Sequence, residues 1–211
     1  MYNQTPYGIG LVPPVSAEGK GKYAGNPIVI LGGSSSVGQN SKLVKKGMAV
    51  ANNHDSAIQL ARLSGFSPII TTASLHHTKD LEALGATHVV DRNLSGDALA
   101  SEVNTIANNA PIKYVVDSIS TPDTQKIGYD LLVSGGKLVI FLAVAIKKTD
   151  DKEVIHVLGV AALPANAKLL ETAYHDHLER LLEEGHIKVS HSRKCSSSLH
   201  VDQIGLLAKP S

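Results

Sequence analysis

The chain has little cysteine, little net charge and no long apolar run, and each of these absences excludes a class of protein. The only cysteine is Cys195, which excludes an internal disulfide and a multi-cysteine zinc site and is interpreted as a passive thiol. The net charge is only +1, so no nucleic-acid or membrane surface is indicated. No apolar run reaches the length of a membrane span, and residues 1–25 lack the basic start and apolar core of a signal peptide. We therefore expect a cytoplasmic protein.

What remains is an ordinary globular composition, with 43% hydrophobic and 18% charged residues in 211 positions. Short apolar runs alternate with helical patterns along the chain. Strands are predicted over residues 27–31, 68–72, 87–90, 112–116, 137–141 and 154–158, and helices over 57–63, 78–84, 95–107, 122–132 and 165–184.

This alternation predicts an α/β fold in which right-handed βαβ units build a doubly wound parallel sheet, the Rossmann arrangement. We expect about six strands with helices on both faces. Such sheets bind their ligands beyond the carboxyl ends of the strands, where the strand order reverses.

A glycine- and serine-rich turn follows the first strand, and it indicates a dinucleotide site. Gly33 and Gly38 occupy the first and third glycine positions of the dinucleotide fingerprint, and Ser35 occupies the second. The turn and the start of the next helix offer free N–H groups to a pyrophosphate. The predicted site is Gly33, Ser34, Ser35, Ser36, Val37 and Gly38, and the alternative is a plain strand-to-helix turn.

Cofactor choice is predicted at the end of the second strand. Dinucleotide folds that bind NAD usually place a carboxylate there, but this chain has none before Asp80. Ser74, His77 and Lys79 are instead suited to a 2′-phosphate, which favours NADPH. The alternative for the histidines is an ordinary exposed loop.

Four segments in order resemble the medium-chain dehydrogenase/reductase superfamily: residues 28–38, 81–91, 115–118 and 131–139. Residues 19–25 and 33–38 resemble a fungal branch of zinc-independent, NADPH-dependent trans-acting enoyl reductases and quinone-reductase-like proteins. The resemblance implies hydride transfer to an activated double bond or carbonyl, with an enoyl thioester or a quinone as the small-molecule substrate. It implies no metal.

The same resemblance suggests where the rest of the cofactor would lie. Asp117, Ser118 and Phe141, at the ends of the fourth and fifth strands, would lie beside the ribose and nicotinamide. It also suggests a homodimer through the edge strand 154–158. No catalytic residue is assigned.

Three departures from the family pattern define the expected domains. Nothing corresponds to the N-terminal substrate domain, so residues 1–26 are expected to be the remainder of an inter-domain linker and 27–188 the Rossmann domain. Residues 189–211 form a serine-rich tail, expected to be disordered, and residues 40–57 interrupt the first helix. That insertion is either a real helical excursion or a retained intron.

Other candidate residues have competing interpretations. Asp91 and Asp117 either contact the cofactor or cap turns. Tyr114 is expected in the core, and Tyr174, His175 and His177 are expected to have surface or packing roles. Three functions stay open at this point: an NADPH-dependent oxidoreductase, a non-catalytic binding or pairing module, and a gene-model product that folds poorly.

The intron hypothesis makes a testable prediction, because the codons allowed at Ser41-Lys42, Ala51-Asn52 and Ser56-Ala57 include donor, branch-point and acceptor signals. Val189-Ser190 permits a further donor where the family pattern ends. We expect the spliced transcript to lack the insertion when it is compared with genomic DNA. A spliced message that retains both stretches contradicts the hypothesis.

Overall fold

The computed structural model describes residues 8–14, 16, 18–34, 53–157 and 177–188, with the side chains of 53–56 and 178 left out. Within these ranges, strands and helices alternate as the sequence predicts. The strands are β1 Ile28–Leu31, β2 Ile69–Ala73, β3 His88–Asp91, β4 Tyr114–Asp117, β5 Lys137–Ile140 and β6 Glu153–His156. The helices are α1 Asn53–Leu63, α2 Thr78–Leu84, α3 Gly96–Ile106, α4 Pro122–Leu131 and α5 Leu178–Glu183, with a 3₁₀ turn at Leu75–His77.

The described strands form one parallel sheet in the order β3-β2-β1-β4-β5-β6. The chain builds β1, β2 and β3 in one direction across the sheet, then returns to the other side of β1 to build β4, β5 and β6. The order therefore reverses between β1 and β4. The predicted doubly wound Rossmann sheet is confirmed.

Successive residues of β1 point to opposite faces of the sheet, and each face has its own core. Ile28 and Ile30 belong to a cluster that includes Ile58 of α1 and Leu81 of α2. Val29 and Leu31 belong to a second cluster, with residues of α3 and α4. All four strand residues are buried, as expected for a strand with helices on both faces.

Several element ends differ from the predicted ones. β4 begins at Tyr114 rather than Ile112. Ile112 is buried, but its carbonyl bonds the Val133 N–H before the ladder with β5 begins at Tyr114–Lys137. β2 and β3 each end one residue later than predicted, so Asp91 is the last residue of its strand. Burial by itself does not show where strand pairing starts.

Helix ends follow local sequence signals more closely than strand ends do. The Ser95 hydroxyl accepts a hydrogen bond from the Ala98 N–H, which confirms Ser95 as the N-cap of α3. Helix α1 begins at Asn53, so its first turn lies inside the predicted insertion 40–57. Residues 40–52 and 189–211, and residues 165–176 of the last predicted helix, lie outside the described residues.

The segment before β1, predicted as linker, packs against the domain where it is described. Ile9 and Leu11 are buried in the same core cluster as Ile28. The Tyr23 ring stacks on Phe66 with 4.8 Å between ring centroids, and its hydroxyl accepts the Val12 N–H at 2.9 Å. The predicted boundary at residue 26 stays a prediction, but the contacts join this segment to the core.

The same segment caps the end of α1. The N–H groups of Gly21 and Tyr23 donate to the carbonyls of Leu63 and Ser64, at 3.2 and 2.9 Å. Helix ends leave such carbonyls without intrahelical partners. Gly65 has a φ of +86°, and a Cβ placed on it would lie 2.7 Å from the Gly21 Cα.

This close approach predicts that Gly65→Ala destabilises the protein more than Gly135→Ala. Both glycines have positive φ, +86° and +76°, but a Cβ at Gly135 meets nothing within 4 Å. We expect Gly135→Ala to cost about 1–2 kcal/mol from backbone strain, and Gly65→Ala to cost roughly 1–3 kcal/mol more from overpacking. Denaturant unfolding of the two variants measures the difference, and equal losses would show that the segment does not dock in solution.

Candidate functional site

The carboxyl ends of β1, β2, β4 and β5 lie along one edge of the sheet, and the reversal of strand order falls between β1 and β4. This is the position at which open parallel sheets bind ligands. The predicted site residues that the structure describes follow these strand ends. Ser35, Ser36, Val37 and Gly38 lie outside the described residues.

The turn after β1 is pinned to β2 by two threonines. Gly32 has a φ of +82°, and its N–H donates to the Thr72 hydroxyl at 2.9 Å. The Gly33 N–H donates to the Thr72 carbonyl, and a Cβ on Gly33 would lie 2.2 Å from the Thr71 hydroxyl oxygen. Only glycine fits at position 33, so the chain leaves β1 close to the sheet edge, with Ser34 half-buried after it.

Sequence reasoning did not assign Thr71 and Thr72 to the site, because both fit a β-strand. The Thr71 hydroxyl donates to the Ile30 carbonyl at 2.8 Å, so both threonines face β1 rather than a ligand. Two adjacent threonines at the end of a buried strand are the signal that was available. The two threonines therefore fix the shape of the turn and do not themselves face a ligand.

The end of β2 carries the residues predicted to receive a 2′-phosphate. Ser74 is half-buried at the start of the 3₁₀ turn, and its hydroxyl makes no capping bond to that turn. His77 is half-buried, with its ring centroid 3.9 Å from that of His76, and Lys79 is exposed. The structure therefore places Ser74 and His77 at the edge and Lys79 one turn beyond.

Sequence reasoning missed a further cation near this position. The Arg92 main-chain N–H donates to the Ala73 carbonyl at 3.1 Å, so the main chain of Arg92, just after β3, lies beside the residue before Ser74, and its side chain is exposed. The neighbouring Asp91 carboxylate accepts from the Asn93 main-chain and side-chain N–H groups, both at 2.9 Å. Asp91 thus caps its own turn, one of the two alternatives for that residue.

Asp117 also caps a turn. Its side chain is fully buried. One carboxylate oxygen accepts the N–H groups of Ile119 and Ser120 at 3.0 and 2.8 Å, and the other accepts the Thr124 hydroxyl at 2.8 Å. These bonds use both oxygens and fix the loop that follows β4.

Ser118 directly follows β4, one of the two central strands, and the residue is 1% exposed. Its N–H donates to the Leu31 carbonyl at 3.1 Å. Its hydroxyl is the one buried side-chain polar atom without a hydrogen-bond partner in the part of the chain that the structure describes. Buried hydroxyls without partners are rare and costly, which makes Ser118 a candidate for a hydrogen bond to a group outside the described residues.

Among the described residues, no group of three or more His, Cys, Asp or Glu side chains could hold a metal ion. No helix in the described part of the chain is long and apolar enough to cross a bilayer. His177 immediately precedes α5 and is half-buried, whereas Tyr174, His175 and Cys195 lie outside the described residues. Tyr114 is half-buried against Tyr23 and Phe66, consistent with the predicted core role.

Burial of Asp117 has a consequence for stability. Burial raises the pKa of its carboxyl above the ordinary 3.8, and the hydrogen bonds from Ser120, Thr124 and Ile119 offset part of that rise. The folded protein therefore holds this proton more tightly than the unfolded chain. The group's contribution to the free energy of unfolding is largest below pH 3.8 and falls as pH rises through the raised folded pKa.

We predict that Asp117→Asn removes this pH dependence. Asparagine keeps an oxygen for the two N–H groups and can donate to Thr124, but it does not titrate. The stability of the variant relative to the parent should increase as pH rises from about 3.8, then level off above the folded pKa. Denaturant unfolding between pH 3 and 7 checks this, and a constant difference or the opposite slope would contradict it.

The chain can now be compared with known proteins. The family model for zinc-binding dehydrogenases matches residues 55–169, just over half of the chain. The chain is 36% identical over 125 residues to the trans-enoyl reductase himH of Aspergillus japonicus, a match to 57% of this chain and 30% of that protein. It is 31% identical over 130 residues to the trans-enoyl reductase cghC of Chaetomium globosum, covering 60% of this chain and 29% of that one. The chain thus spans about a third of the length of these relatives.

Solved structures share the fold. The CurK enoyl reductase superposes with a TM-score of 0.59 at 17% identity, covering 82% of this chain and 48% of that one. The nucleotide-binding subdomain of the enoylreductase domain of PpsC from Mycobacterium tuberculosis gives a TM-score of 0.52 at 20% identity, covering 79% of this chain and 87% of that one. With the sequence match and the sheet order, these findings show that the chain belongs to the zinc-binding dehydrogenase family of the medium-chain dehydrogenase/reductase superfamily and contains its nicotinamide-cofactor domain.

Proposed function

We propose that this chain binds NADPH at the carboxyl edge of the sheet, as the cofactor domain of an oxidoreductase that reduces an activated double bond or carbonyl. The observation that carries the proposal is the buried Ser118 hydroxyl, which has no partner among the described residues and lies where the strand order reverses. Gly33 packs so closely on Thr71 that no side chain fits there, and a glycine in this tight turn is what the first position of the dinucleotide fingerprint requires. The described residues therefore fit a dinucleotide.

The preference for NADPH over NADH is supported by charge at the end of β2. From Ala73 through Lys79 there is no carboxylate, and the nearby carboxylate of Asp91 is bound to Asn93. Ser74, His77, Lys79 and Arg92 supply hydrogen-bond donors and positive charge for a 2′-phosphate. An adenosine ribose without the phosphate gains none of this attraction.

Each group of residues would have a separate task. The turn from Gly33 to Gly38 would bind the pyrophosphate through main-chain N–H groups. Asp117 would hold the loop beside the ribose, and Ser118 and Phe141 would border the nicotinamide. The bound cofactor supplies a hydride, and the protein's task is to orient it and to exclude water.

The substrate class follows from the family and from the relatives. The curated relatives are trans-enoyl reductases, and the structural neighbours include enoyl reductases and a quinone oxidoreductase. We infer an enoyl thioester or a quinone-like acceptor in a cytoplasmic setting. Because the matched segment covers about a third of those relatives, the remaining substrate contacts would come from protein beyond this match.

A second candidate function is a non-catalytic module that binds NADPH or pairs with a second copy. β6 favours it, since this strand is the last in the described sheet and pairs only with β5 there. An edge strand can add a strand from another chain. Oxidation of NADPH in the presence of an enoyl thioester or a quinone would separate the enzyme from the module, and light scattering would measure pairing.

The proposal predicts that the purified chain binds NADPH more tightly than NADH. Calorimetry or cofactor fluorescence measures both dissociation constants. We expect Ser74→Asp to weaken NADPH binding by about tenfold or more and not to weaken NADH binding, because the new carboxylate repels the 2′-phosphate but can accept a hydrogen bond from the 2′-hydroxyl of NADH. Equal binding of the two cofactors, or binding of neither, would overturn the corresponding part of the proposal.

Two lysines provide a matched control for that experiment. Lys79 and Lys113 are both exposed, but Lys113 precedes β4 at the opposite edge of the sheet. Lys79→Ala should reduce the preference for NADPH several-fold and make its binding less sensitive to salt. Lys113→Ala removes the same charge and should change neither property.

A further inference from the structure

A buried glutamine connects the two loops that border the proposed nicotinamide site. Gln125, in the second turn of α4, is fully buried. Its side-chain NH₂ donates to the Ser120 carbonyl and to the Ala143 carbonyl, each at 2.9 Å. Its side-chain oxygen accepts the Ala145 N–H at 2.9 Å. Both ends of the amide are thus used, as a buried amide requires.

Ser120 makes a second connection between the same loops. Its hydroxyl donates to the Asp117 carbonyl at 2.6 Å and accepts the Phe141 N–H at 2.9 Å. Its φ is +60°, a conformation that is unfavourable for a residue with a Cβ. Strained backbone persists where its surroundings over-determine it, and such positions concentrate at functional sites.

These bonds hold the β5 exit loop, residues 141–145, through its main chain. The Phe141 N–H, the Ala143 carbonyl and the Ala145 N–H are bonded, whereas the side chains of Leu142 and Val144 are 51% and 40% exposed. The loop therefore keeps a defined path while two apolar side chains have little contact with the described protein. Apolar side chains held in this way can form a wall for a ring-shaped ligand.

We propose that Gln125 is a positioning residue for the nicotinamide half of the cofactor and acts through the β5 exit loop. This inference rests on the proposed NADPH function. The two halves of a dinucleotide lie on opposite sides of the strand-order reversal. Ser74 and Lys79 lie on the β2 side, while Gln125 and the exit loop lie on the β4–β5 side. Loss of the Gln125 bonds should therefore affect one half of the ligand only.

The matched control is Gln59, another buried glutamine with the same kind of bonds. It is 1% exposed, and its amide bonds the Lys188 carbonyl at 3.1 Å and the Lys188 N–H at 2.6 Å. Gln125→Met and Gln59→Met each replace a buried amide with an apolar side chain of similar length. Both should lower stability, because each leaves main-chain groups without their partner.

The experiment compares the binding of NADPH with that of 2′,5′-ADP, a fragment that lacks the nicotinamide half, by the 211-residue chain. We expect Gln125→Met to weaken NADPH about tenfold while 2′,5′-ADP changes less than about twofold. Gln59→Met should leave the ratio of the two dissociation constants unchanged. Hydrogen exchange at Phe141 and Ala145 should accelerate in Gln125→Met but not in Gln59→Met.

Gln125→Glu tests the same idea with the size and shape of the side chain kept, although a buried carboxylate facing two carbonyl oxygens should lower stability more than methionine does. Glutamate keeps the acceptor for the Ala145 N–H, but its carboxylate cannot donate to the Ser120 and Ala143 carbonyls, so NADPH should again weaken relative to 2′,5′-ADP in the folded variant. Equal weakening of both ligands, or no change in either, overturns the positioning role. If the parent protein binds neither ligand, the NADPH proposal itself fails, and the two failures are therefore distinguishable.

Discussion

The buried Asp117 carboxylate organises the edge of the sheet on which the proposed function depends. It ends β4 beside the reversal of strand order and accepts two main-chain N–H groups and one hydroxyl. Those bonds set the path of the loop through Ser120, and Ser120 in turn bonds the residue that follows β5. Burial opposes the ionised form and raises the pKa, so the carboxylate is retained at a cost to stability. That cost is understandable if the shape of this loop matters for a ligand.

The turn after β1 completes the same edge by a different means. No charge is involved; the threonines at the end of β2 hold the turn, and the space left by Gly33 is too small for a Cβ. The result is an edge with an excluded side chain on one side and the buried Ser118 hydroxyl on the other. The cofactor proposed above would contact main chain at this edge and supply a hydrogen-bond partner for that hydroxyl. The family match supports the same interpretation from an independent direction.

Segments at both ends of the domain are bonded to α1, mostly near its C-terminal end. The segment before β1 caps the carbonyls at the end of α1, and the Gln59 amide and the Arg62 side chain bond the main chain of residues 186–188. The segment predicted as linker and the last residues of the predicted domain are thus both held by polar bonds to one helix. The same helix follows the proposed phosphate turn in the chain. The position of α1 is therefore set by contacts with the segment before β1 and with residues 186–188.

The sequence alone determined the fold class, because alternating apolar strands and amphipathic helices leave few arrangements other than a doubly wound parallel sheet. Gly33, Ser74 and Ser118 could be named as candidates, since the glycine fingerprint, the missing carboxylate after the second strand and the family resemblance mark their positions. Arg92, Ser120 and Gln125 could not, because their roles arise from contacts between the end of one strand and the loop of another. Strand register and loop packing, which no local pattern encodes, bring those residues together, and so the tertiary structure decided the polar network of the site.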